Sequence, residues 1–493
     1  MKNHILFTTE DNCYIHSCKH KETIPVHPIM ERVILLKESD NSSLEDDEVL
    51  CSYTKEEVNY YLKKYEFWKE TGIIGNKDDV EYAPLSAGLI RKELVNLQVL
   101  TFVVTDKCNL RCRYCAYGDM YGGYDARMDE NLSFDKAKHV LDYLFDIWTN
   151  ASSMSAKRTV TIGFYGGEPL MNIELIKQIV EYVSEHTFPH IEFQYNMTTN
   201  AMLLGKCQDF LQQHEVRLLI SLDGTEEDDC HRITANGSGS FTYVFPQIKK
   251  LKETYPSYFE KCVSFNSVLH SKSNVGRIVD FFEKEFGKSP MLSELSRQNV
   301  VDKTLFNNMF LNVQAAIKQS GRQDFIDKKL MYVSPNVSAL TSYLHRYTNE
   351  TFKDYRSMFY GTHRYSLIPT GTCIPFNRKL LVTTNGKMMV CEHIDHKYAV
   401  ARVDEKGVHL DLEEIAQRYN EKYYNRITHL CKKCYAQQNC TQCVFQTDID
   451  KEPVKCRSFY TYPVFAKQLA ANLSYMEHNR WAYKRVMEEV TLF

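Results

Sequence analysis

The sequence predicts an α/β fold built around parallel strands, because apolar and amphipathic segments alternate along its central part. Between residues 98 and 300, strand-like runs at 99–104, 159–165, 191–198, 216–222 and 262–269 alternate with segments of helical spacing that include 134–148, 174–186 and 276–286. Strands and helices that alternate at this spacing form right-handed βαβ units. We therefore expect a parallel sheet or a barrel, with the chemistry in the loops at the carboxyl ends of the strands.

A smaller module precedes this core. Segments 5–8 and 13–17 predict a β-hairpin, and Thr54-x-x-Glu57 is a capping box that opens a helix. A hairpin followed by helices is compatible with a winged-helix-like module, which we place at residues 1–90.

Three further regions follow the core, which we assign to residues 98–300. Residues 301–365 predict a helical linker region, and residues 366–460 form a cysteine-rich region of short strands and loops. Residues 461–493 predict a C-terminal helix.

The composition excludes several classes of protein. The 493 residues carry a formal net charge of −3, which gives no strong field to attract nucleic acid or an anionic membrane. No apolar run approaches the roughly 20 residues of a membrane span, and the N-terminus lacks the apolar segment of a signal peptide. We expect a cytoplasmic protein with no nucleic-acid and no membrane partner. In that reducing compartment, 16 cysteines favour bound metal over disulfides.

Three cysteines follow the first predicted strand with the spacing C-x3-C-x2-C; they are Cys108, Cys112 and Cys115. A structural zinc site takes four protein ligands, and an ordinary iron–sulfur cluster takes four cysteines. A loop that offers three thiolates therefore indicates a cluster with one iron left open for another ligand. An open iron can bind a molecule that chelates through an amine and a carboxylate, and S-adenosylmethionine carries both groups.

The motif resembles the signature of the radical S-adenosylmethionine (radical SAM) superfamily, in which an aromatic residue precedes the last cysteine, as Tyr114 does here. The resemblance implies a partial (β/α)6 TIM-type barrel at residues 98–300. It also implies a [4Fe–4S] cluster on the three cysteines, S-adenosylmethionine as cofactor, and an external reductant such as flavodoxin or ferredoxin. An electron from the reduced cluster, whose potential can approach roughly −700 mV, cleaves the sulfonium and releases a 5′-deoxyadenosyl radical.

Other residues that resemble this family's cofactor site close the later strands. They are Gly166, Gly167 and Glu168 after the second strand, Asn200 after the third, and Ser221, Asp223 and Arg232 at and after the fourth. The first three resemble the GGEP motif, which holds the cofactor's amino group through its backbone and glutamate. Relatives use the serine and the arginine on the methionine part, with the arginine as counter-ion to the carboxylate. A single glycine pair marks a turn, but three such features at successive strand ends favour a cofactor site.

A second group of cysteines resembles the SPASM domain, a C-terminal extension of radical SAM enzymes that carries two auxiliary [4Fe–4S] clusters. The resemblance implies a distal cluster on Cys431, Cys434, Cys440 and Cys456, and a nearer cluster on Cys373, Cys391 and Cys443, which makes three clusters in all. The spacing Cys440-x2-Cys443 is one residue shorter than the usual C-x3-C. The nearer cluster lacks a fourth cysteine, so that position is either open or filled by a group such as His363 or His393. The alternative for the CxxC pairs is a pair of zinc knuckles.

The SPASM resemblance implies that the substrate is a peptide or a protein. The N-terminal module looks like the leader-binding element of ribosomal peptide maturases, which binds a leader by strand addition to a sheet edge. We therefore expect a precursor peptide with a leader sequence as the partner. The predicted reaction removes a hydrogen from the peptide and installs a cross-link, a cysteine thioether in the first place and a carbon–carbon or carbon–oxygen bond next.

Two alternatives stay open. The nearer one is an anaerobic sulfatase-maturing type of enzyme, which oxidises cysteine or serine to formylglycine and uses an acidic residue after an auxiliary-cluster cysteine. Glu392 follows Cys391 and is therefore our candidate catalytic residue. The remote alternative is a nucleic-acid-binding protein with zinc knuckles, which the near-neutral charge and the lack of a basic stripe disfavour.

Overall fold

The chain forms two compact units whose segments alternate along the sequence. A computed structural model describes residues 1–39, 47–77, 80–150, 157–349, 368–370, 374–447 and 449–490. The first unit consists of residues 1–84, 327–372 and 421–493, and the second of residues 85–326 and 373–420. The cysteine-rich region predicted at residues 366–460 is therefore divided between the two units.

The strands belong to two sheets, one in each unit. Their bounds are β1 (His4–Thr8), β2 (Cys13–Ser17), β3 (Glu22–Pro25), β4 (Val99–Thr105), β5 (Arg158–Gly166), β6 (Ile191–Thr199), β7 (Arg217–Ser221), β8 (Val263–Val268), β9 (Met291–Ser293), β10 (Lys379–Val382), β11 (Lys387–Met389), β12 (Ala401–Asp404) and β13 (Gly407–His409). The first sheet has the order β1-β2-β3, and the second has the order β13-β12-β11-β10-β4-β5-β6-β7-β8-β9.

Helices supply most of the connections between these strands. Their bounds are α1 (Pro28–Glu38), α2 (Lys55–Glu70), α3 (Ala87–Val95), α4 (Phe134–Asn150), α5 (Ile173–Ser184), α6 (Leu204–Gln213), α7 (Phe241–Thr254), α8 (Pro256–Cys262), α9 (Val275–Phe286), α10 (Lys303–Met309), α11 (Val313–Gln319), α12 (Gln323–Lys329), α13 (Pro335–Tyr347), α14 (Leu412–Arg418), α15 (Asn425–Cys431), α16 (Tyr462–His478) and α17 (Arg480–Glu489). Across the described ranges, none of these helices is long and apolar enough to cross a membrane.

The second unit is built on six successive parallel strands, β4 to β9, which lie side by side in sequence order. All five predicted strands are present within one residue of their predicted ends. The α/β class and the parallel core are therefore confirmed. The sequence did not predict β9, nor β10, which pairs in parallel with β4, nor the antiparallel extension β11 to β13.

Strand β4 lies inside the second sheet, between β10 and β5, and is buried along almost its whole length. Leu100, Phe102 and Val104 on one face are fully buried, and the opposite face is also covered. Burial of both faces is what a parallel sheet with crossover helices requires, and it explains why this strand reads as a continuous apolar run. The carboxyl ends of β4 to β7 lie at the same edge of the sheet, because these strands are parallel.

The first unit combines the three-stranded antiparallel sheet with two apolar clusters. One cluster joins the sheet to α1 and α2, and its members include Ile15, Val33 and Trp68. The other joins β1 to α13, α16 and α17. The predicted capping box is present, since the Thr54 hydroxyl accepts from the Glu57 amide and the Glu57 carboxylate accepts from the Thr54 amide. The winged-helix-like character of this module stays a prediction.

The C-terminal segment corrects one prediction. Residues 461–493 contain two helices, α16 and α17, where the sequence predicted one. The break lies at Asn479, whose φ of −130° and ψ of 61° leave the helical region. Helices α10 to α13 agree with the helical prediction for residues 301–365 as far as those residues are described.

Candidate active site

The three-cysteine loop leaves the carboxyl end of β4 and is held by its own backbone. The Cys115 amide donates to the Cys112 carbonyl at 3.0 Å, and the Leu110 amide points at the Cys108 sulfur at 3.4 Å. All three thiols are partly exposed. Burial raises the pKa of the Cys108 thiol and raises the pKa of Cys112 to about 12. These thiols therefore need a positively charged partner, such as iron, to become thiolates.

Two glycines at the end of β5 lie directly against this loop. A Cβ atom at Gly166 would lie 2.1 Å from the Thr105 carbonyl oxygen, and one at Gly167 would lie 2.1 Å from the Lys107 carbonyl oxygen. Gly166 also has a φ of 153°, which disfavours any other residue. The Gly167 amide donates to the Thr105 carbonyl at 2.8 Å. The sequence needs glycine here because two backbones meet without room for a side chain.

Glu168 joins the ends of β5 and β6 from a buried position. Its Oε1 accepts from the Thr199 hydroxyl at 2.7 Å and from the Leu170 amide at 3.1 Å, and its Oε2 accepts from the Asn200 amide at 2.7 Å. Burial raises the pKa of this carboxyl to about 7. The side chain predicted to hold a cofactor amine is therefore engaged with three donors of the protein itself.

Asn200 reaches from the end of β6 to the cysteine loop. Its Nδ2 donates to Oδ1 of Asn109 at 2.8 Å and points at the Cys108 sulfur at 3.8 Å. Its Oδ1 accepts from the Met202 amide at 3.0 Å. Asn200 therefore lies beside the cysteine loop, and its contact with a cofactor stays a prediction.

Tyr114, Asp223 and Arg232 form one buried network below the loop. The Tyr114 hydroxyl donates to Oδ2 of Asp223, and Nη2 of Arg232 donates to Oδ1 of Asp223 at 3.0 Å. The Arg232 guanidinium lies 5.5 Å from the centre of the Tyr114 ring. Its Nε lies 3.6 Å from Asp229 and has no hydrogen-bond partner among the described residues. Ser221, the last residue of β7, pairs with Asn266 of β8.

The spacing of the three sulfurs fits a cluster better than a single ion. A tetrahedral zinc ion places its sulfur ligands about 3.8 Å apart, because each Zn–S bond is about 2.3 Å. Within the described residues, the three thiols of Cys108, Cys112 and Cys115 do not all come within 4.8 Å of one another. Three partly exposed thiols at this wider spacing fit an iron–sulfur cluster. The Nε of Arg232, which has no hydrogen-bond partner among the described residues, fits a chelating cofactor.

Comparison with known proteins decides the family of this region. Residues 102–284 match the family model of the radical SAM superfamily. They form a radical SAM domain. The matched range contains the second half of β4, all of β5 to β8, and the site residues of this sheet edge, from Cys108 to Arg232.

Several curated proteins resemble the chain around its radical SAM domain. An uncharacterized protein of Methanocaldococcus jannaschii is 32% identical over 142 residues, which are 29% of this chain and 44% of that protein. A cysteine-type anaerobic sulfatase-maturating enzyme of Clostridium novyi is 23% identical over 63% of this chain and 78% of that enzyme. The radical SAM cyclopropyl synthase TigE of Paramaledivibacter caminithermalis is 25% identical over 35% of each chain. The chain thus spans less than half the length of the first and third of these relatives.

Solved structures extend the likeness beyond the radical SAM domain. Native anSMEcpe with bound AdoMet and the Cp18Cys peptide aligns over 79% of this chain and 99% of its own length, with a TM-score of 0.52 and 16% identity. Native anSMEcpe with bound AdoMet aligns over 80% of this chain and 100% of its own, with a TM-score of 0.50 and 15% identity. At this level of identity the likeness is one of fold.

Outside the radical SAM domain, four of the predicted auxiliary-cluster cysteines come together in the first unit. Cys431, Cys434, Cys440 and Cys456 line one small cavity with Tyr82 and Phe459. Burial raises the pKa of Cys431 to about 12 and that of Cys456 to about 11. In the part of the chain that the structure describes, no three of these sulfurs lie within 4.8 Å of one another, which is wider than a zinc knuckle needs.

The predicted nearer auxiliary cluster stays a prediction. Cys373 and His363 lie outside the described residues, Cys391 belongs to the second unit, and Cys443 belongs to the first. Glu392, the candidate catalytic residue, accepts from Nζ of Lys379 at 2.6 Å. Burial alone would raise the pKa of Glu392, but the Lys379 ammonium holds that pKa below its usual value. An ion-paired carboxylate of lowered pKa is a weak general base.

Sequence reasoning missed Arg127, which touches the cluster loop of the radical SAM domain. Its Nη2 points at the Cys115 sulfur at 3.4 Å, and its guanidinium lies 4.8 Å from the centre of the Tyr117 ring. Tyr117 in turn packs against Tyr124, whose hydroxyl lies 3.5 Å from the Glu392 carbonyl oxygen. No motif or periodicity marks these residues, because their roles depend on how the loop folds back.

Proposed function

We propose that this protein is a radical SAM enzyme that modifies a ribosomally made precursor peptide. The observation that supports this function is the meeting of three thiols, a glycine cradle and buried Glu168 at one edge of a parallel sheet. A [4Fe–4S] cluster and S-adenosylmethionine, when both are bound there, supply a 5′-deoxyadenosyl radical.

In this proposal the residues of the chain divide the work of holding these groups. Cys108, Cys112 and Cys115 ligate the cluster, and an external reductant such as flavodoxin or ferredoxin delivers the electron. The backbone around Gly166 can approach the cofactor closely because it carries no side chain. The Nε of Arg232 makes no hydrogen bond within the described part of the chain and would be the atom that meets a cofactor carboxylate, although Asp229 lies 3.6 Å from it and Asp223 already holds Nη2. Ser221, at the end of the next strand, completes the binding edge.

The sheet of the first unit supports a peptide as the substrate. Within the described residues, β1 is covered on its outer edge by Tyr462, whose hydroxyl accepts from the Leu6 amide at 2.8 Å. Strand β3 (Glu22–Pro25) pairs with β2 alone among the described strands. An extended leader that adds to β3 would satisfy its outward backbone groups, which is how strand addition gives affinity.

Two products are compatible with this site. A thioether or other cross-link requires the peptide to lose two hydrogens, one as an atom to the 5′-deoxyadenosyl radical and one as a proton, with one electron left over. Cys431, Cys434, Cys440 and Cys456 would hold the auxiliary cluster that supplies an acceptor for that electron. The similarity to an anaerobic sulfatase-maturating enzyme supports the second candidate, oxidation of a cysteine or serine to formylglycine. The two are separated by the fate of the thiol sulfur, which a thioether retains and formylglycine lacks.

Metal content and cofactor cleavage test the class of enzyme. Protein reconstituted without oxygen should contain about twelve iron atoms per chain if three clusters bind. It should convert S-adenosylmethionine to 5′-deoxyadenosine once reduced, and Cys108→Ala should abolish this, whereas the exposed control Cys51→Ala should not. About four iron atoms together with zinc would overturn the auxiliary clusters, and no cleavage with a genuine peptide present would overturn the enzyme class.

Mass spectrometry of a co-expressed precursor peptide tests the product. The candidate to test is a short neighbouring reading frame that encodes a leader and a cysteine, where one is found. Loss of two hydrogens per modified site, with the sulfur retained and no free thiol, supports the cross-link. Loss of the sulfur with an aldehyde supports formylglycine. An unmodified peptide after efficient cofactor cleavage contradicts both.

A further inference from the structure

A second group of metal-binding side chains lies in the radical SAM domain, away from the three-cysteine loop. Cys230 and His231 follow β7, and His270 follows β8. The Sγ of Cys230 and one ring nitrogen of each histidine all lie within 4.8 Å of one another. No motif of the cofactor site includes these three residues.

A backbone carbonyl fixes the tautomer of His270. Its Nε2 lies 2.7 Å from the Asp228 carbonyl oxygen, which can only accept, so Nε2 carries the proton. The nitrogen that keeps a lone pair is therefore Nδ1, which lies a long 3.3 Å from the Lys272 amide. Metal-bound histidines usually donate their other N–H to a carbonyl or carboxylate in this way. Asp228 is itself fixed by Arg277 at 2.7 Å.

His231 supplies the observation that points to a missing partner. The residue is 6% exposed, and its Nδ1 is buried without a hydrogen-bond partner among the described residues. A buried polar atom left unpaired costs about 1–3 kcal/mol, so such atoms are rare unless something binds them. The His231 ring meets the His270 ring edge to face, with centres 4.4 Å apart.

Cys230 completes the group from the solvent side. Its thiol is partly exposed, which gives an ion a route to the buried imidazoles. The carboxylates of Asp223 and Asp229 add negative charge near it. Lys272 acts on both Cys230 and His231, and Arg113 acts on His231; both cations are exposed, so water and salt screen their repulsion of a metal ion.

We infer that Cys230, His231 and His270 bind one divalent transition-metal ion of the zinc class. One thiolate and two imidazoles are a common ligand set for such an ion, and a water molecule takes the fourth tetrahedral position. In a tetrahedral site the ligand atoms are about 3.3–3.8 Å apart, so small side-chain rotations close the group from its present spacing. Among the described residues, the cysteines assigned to iron–sulfur clusters form no group of three whose sulfurs lie within 4.8 Å of one another.

The ion would hold together two segments that contact the three-cysteine loop. The Arg113 amide donates to the His231 carbonyl at 3.0 Å, and the His270 ring stacks on Tyr114 with centres 6.4 Å apart. Two segments that follow different strands are thus joined at one ion, and both contact the loop that carries Cys112 and Cys115. The role is structural, since the site contains no group that the radical chemistry uses.

Zinc binding to the holoprotein tests this site. Protein with fully reconstituted iron–sulfur clusters is given zinc and then titrated with a chromophoric chelator. We expect one tightly held zinc per chain beyond the iron. Cys230→Ala and His231→Gln should weaken it by more than about 100-fold, since the loss of outer partners alone costs about 10- to 100-fold. The matched control Cys207→Ala, which removes a buried cysteine elsewhere, should retain it.

X-ray absorption at the zinc edge identifies the ligands. Because this measurement uses the wild-type protein, it tests the site even if a variant fails to fold. The expected shell has one sulfur at about 2.3 Å and nitrogen or oxygen at about 2.0–2.1 Å. A shell of three or four sulfurs would place the zinc in a cluster site and overturn the inference. The inference would also be overturned by protein that is fully loaded with iron but binds no zinc tightly. Equal zinc affinity in wild type, Cys230→Ala and His231→Gln would overturn it too. Cofactor cleavage does not enter these measurements, so the inference stands or fails independently of the proposed function.

Discussion

Arg127 directs its Nη2 at the sulfur of Cys115, one of the three cysteines of the radical SAM motif, across 3.4 Å. Its guanidinium is fixed against the Tyr117 ring, so the contact is not a loose surface interaction. Hydrogen bonds to cluster sulfurs stabilise the more negative, reduced state.

Replacement of Arg127 should lower the reduction potential of the radical SAM cluster. Arg127→Met keeps much of the volume beside Tyr117 but removes the donor to Cys115, so the reduced cluster loses stabilisation. A redox titration followed by electron paramagnetic resonance measures the shift. Arg91→Met, an exposed arginine on α3, serves as the control. An unchanged potential in Arg127→Met would show that the contact does not tune the cluster.

Glu168→Gln should destabilise the second unit by about 1–3 kcal/mol. An amide has one acceptor oxygen, so its NH2 group must face either the Asn200 amide or the donors on the other side, and one buried donor loses its partner. Denaturant unfolding of the metal-free protein measures the change. Glu181→Gln, on the exposed face of α5, should leave the stability unchanged. Equal stability of both variants would contradict the structural role of Glu168.

The same carboxyl should make stability depend on pH. Burial raises its pKa from an ordinary 4.5 to about 7, so the folded protein binds this proton more tightly than the unfolded chain does. Stability should therefore fall as the pH rises from about 4.5 to about 7, by about 3 kcal/mol, and level off above. Unfolding free energies measured across this range should lose that component in Glu168→Gln. A slope that persists in the variant must come from other groups.

Tyr462→Phe should destabilise the first unit by about 1 kcal/mol, because the Leu6 amide on the outer edge of β1 loses its partner. Hydrogen exchange at the Leu6 amide should become faster. A general loss of packing would instead speed exchange at amides beyond this edge of β1 as well. Tyr483→Phe removes an exposed hydroxyl from α17 and is the control. An unaltered Leu6 exchange rate would mean that the hydroxyl does not protect β1.

The sequence predicted those parts of the fold whose signals are local. The strand β4 is buried on both faces and reads as an apolar run, and Gly166 is required by a backbone contact, so both could be recognised. Strand β10 could not, because Lys379 finds its partner Val99 in a distant part of the chain. The split between α16 and α17 depends on the backbone of a single residue, Asn479, within an otherwise helical pattern.

The family of the candidate site was predictable from the sequence, and its contacts were not. The spacing of Cys108, Cys112 and Cys115 indicated the radical SAM family, and the family match covers that region, while the role of each residue as a ligand stays a prediction. The spacing could not show that Glu168 binds protein donors, because hydrogen-bond partners depend on how neighbouring strand ends meet. The pairing of His231 with His270 could not be predicted either, because no sequence pattern shows that the two loops that carry them meet.

The pairing of β4 with β10 has a consequence for synthesis of the chain on the ribosome. Val99 and its neighbours emerge early, yet the strand that covers one of their edges is completed only at Val382. Until then β4 presents an unpaired, strongly apolar edge, and such edges are prone to aggregate. The nascent protein thus passes through a long interval in which β4 is open on one side, and chaperone protection during that interval would raise the yield of folded protein.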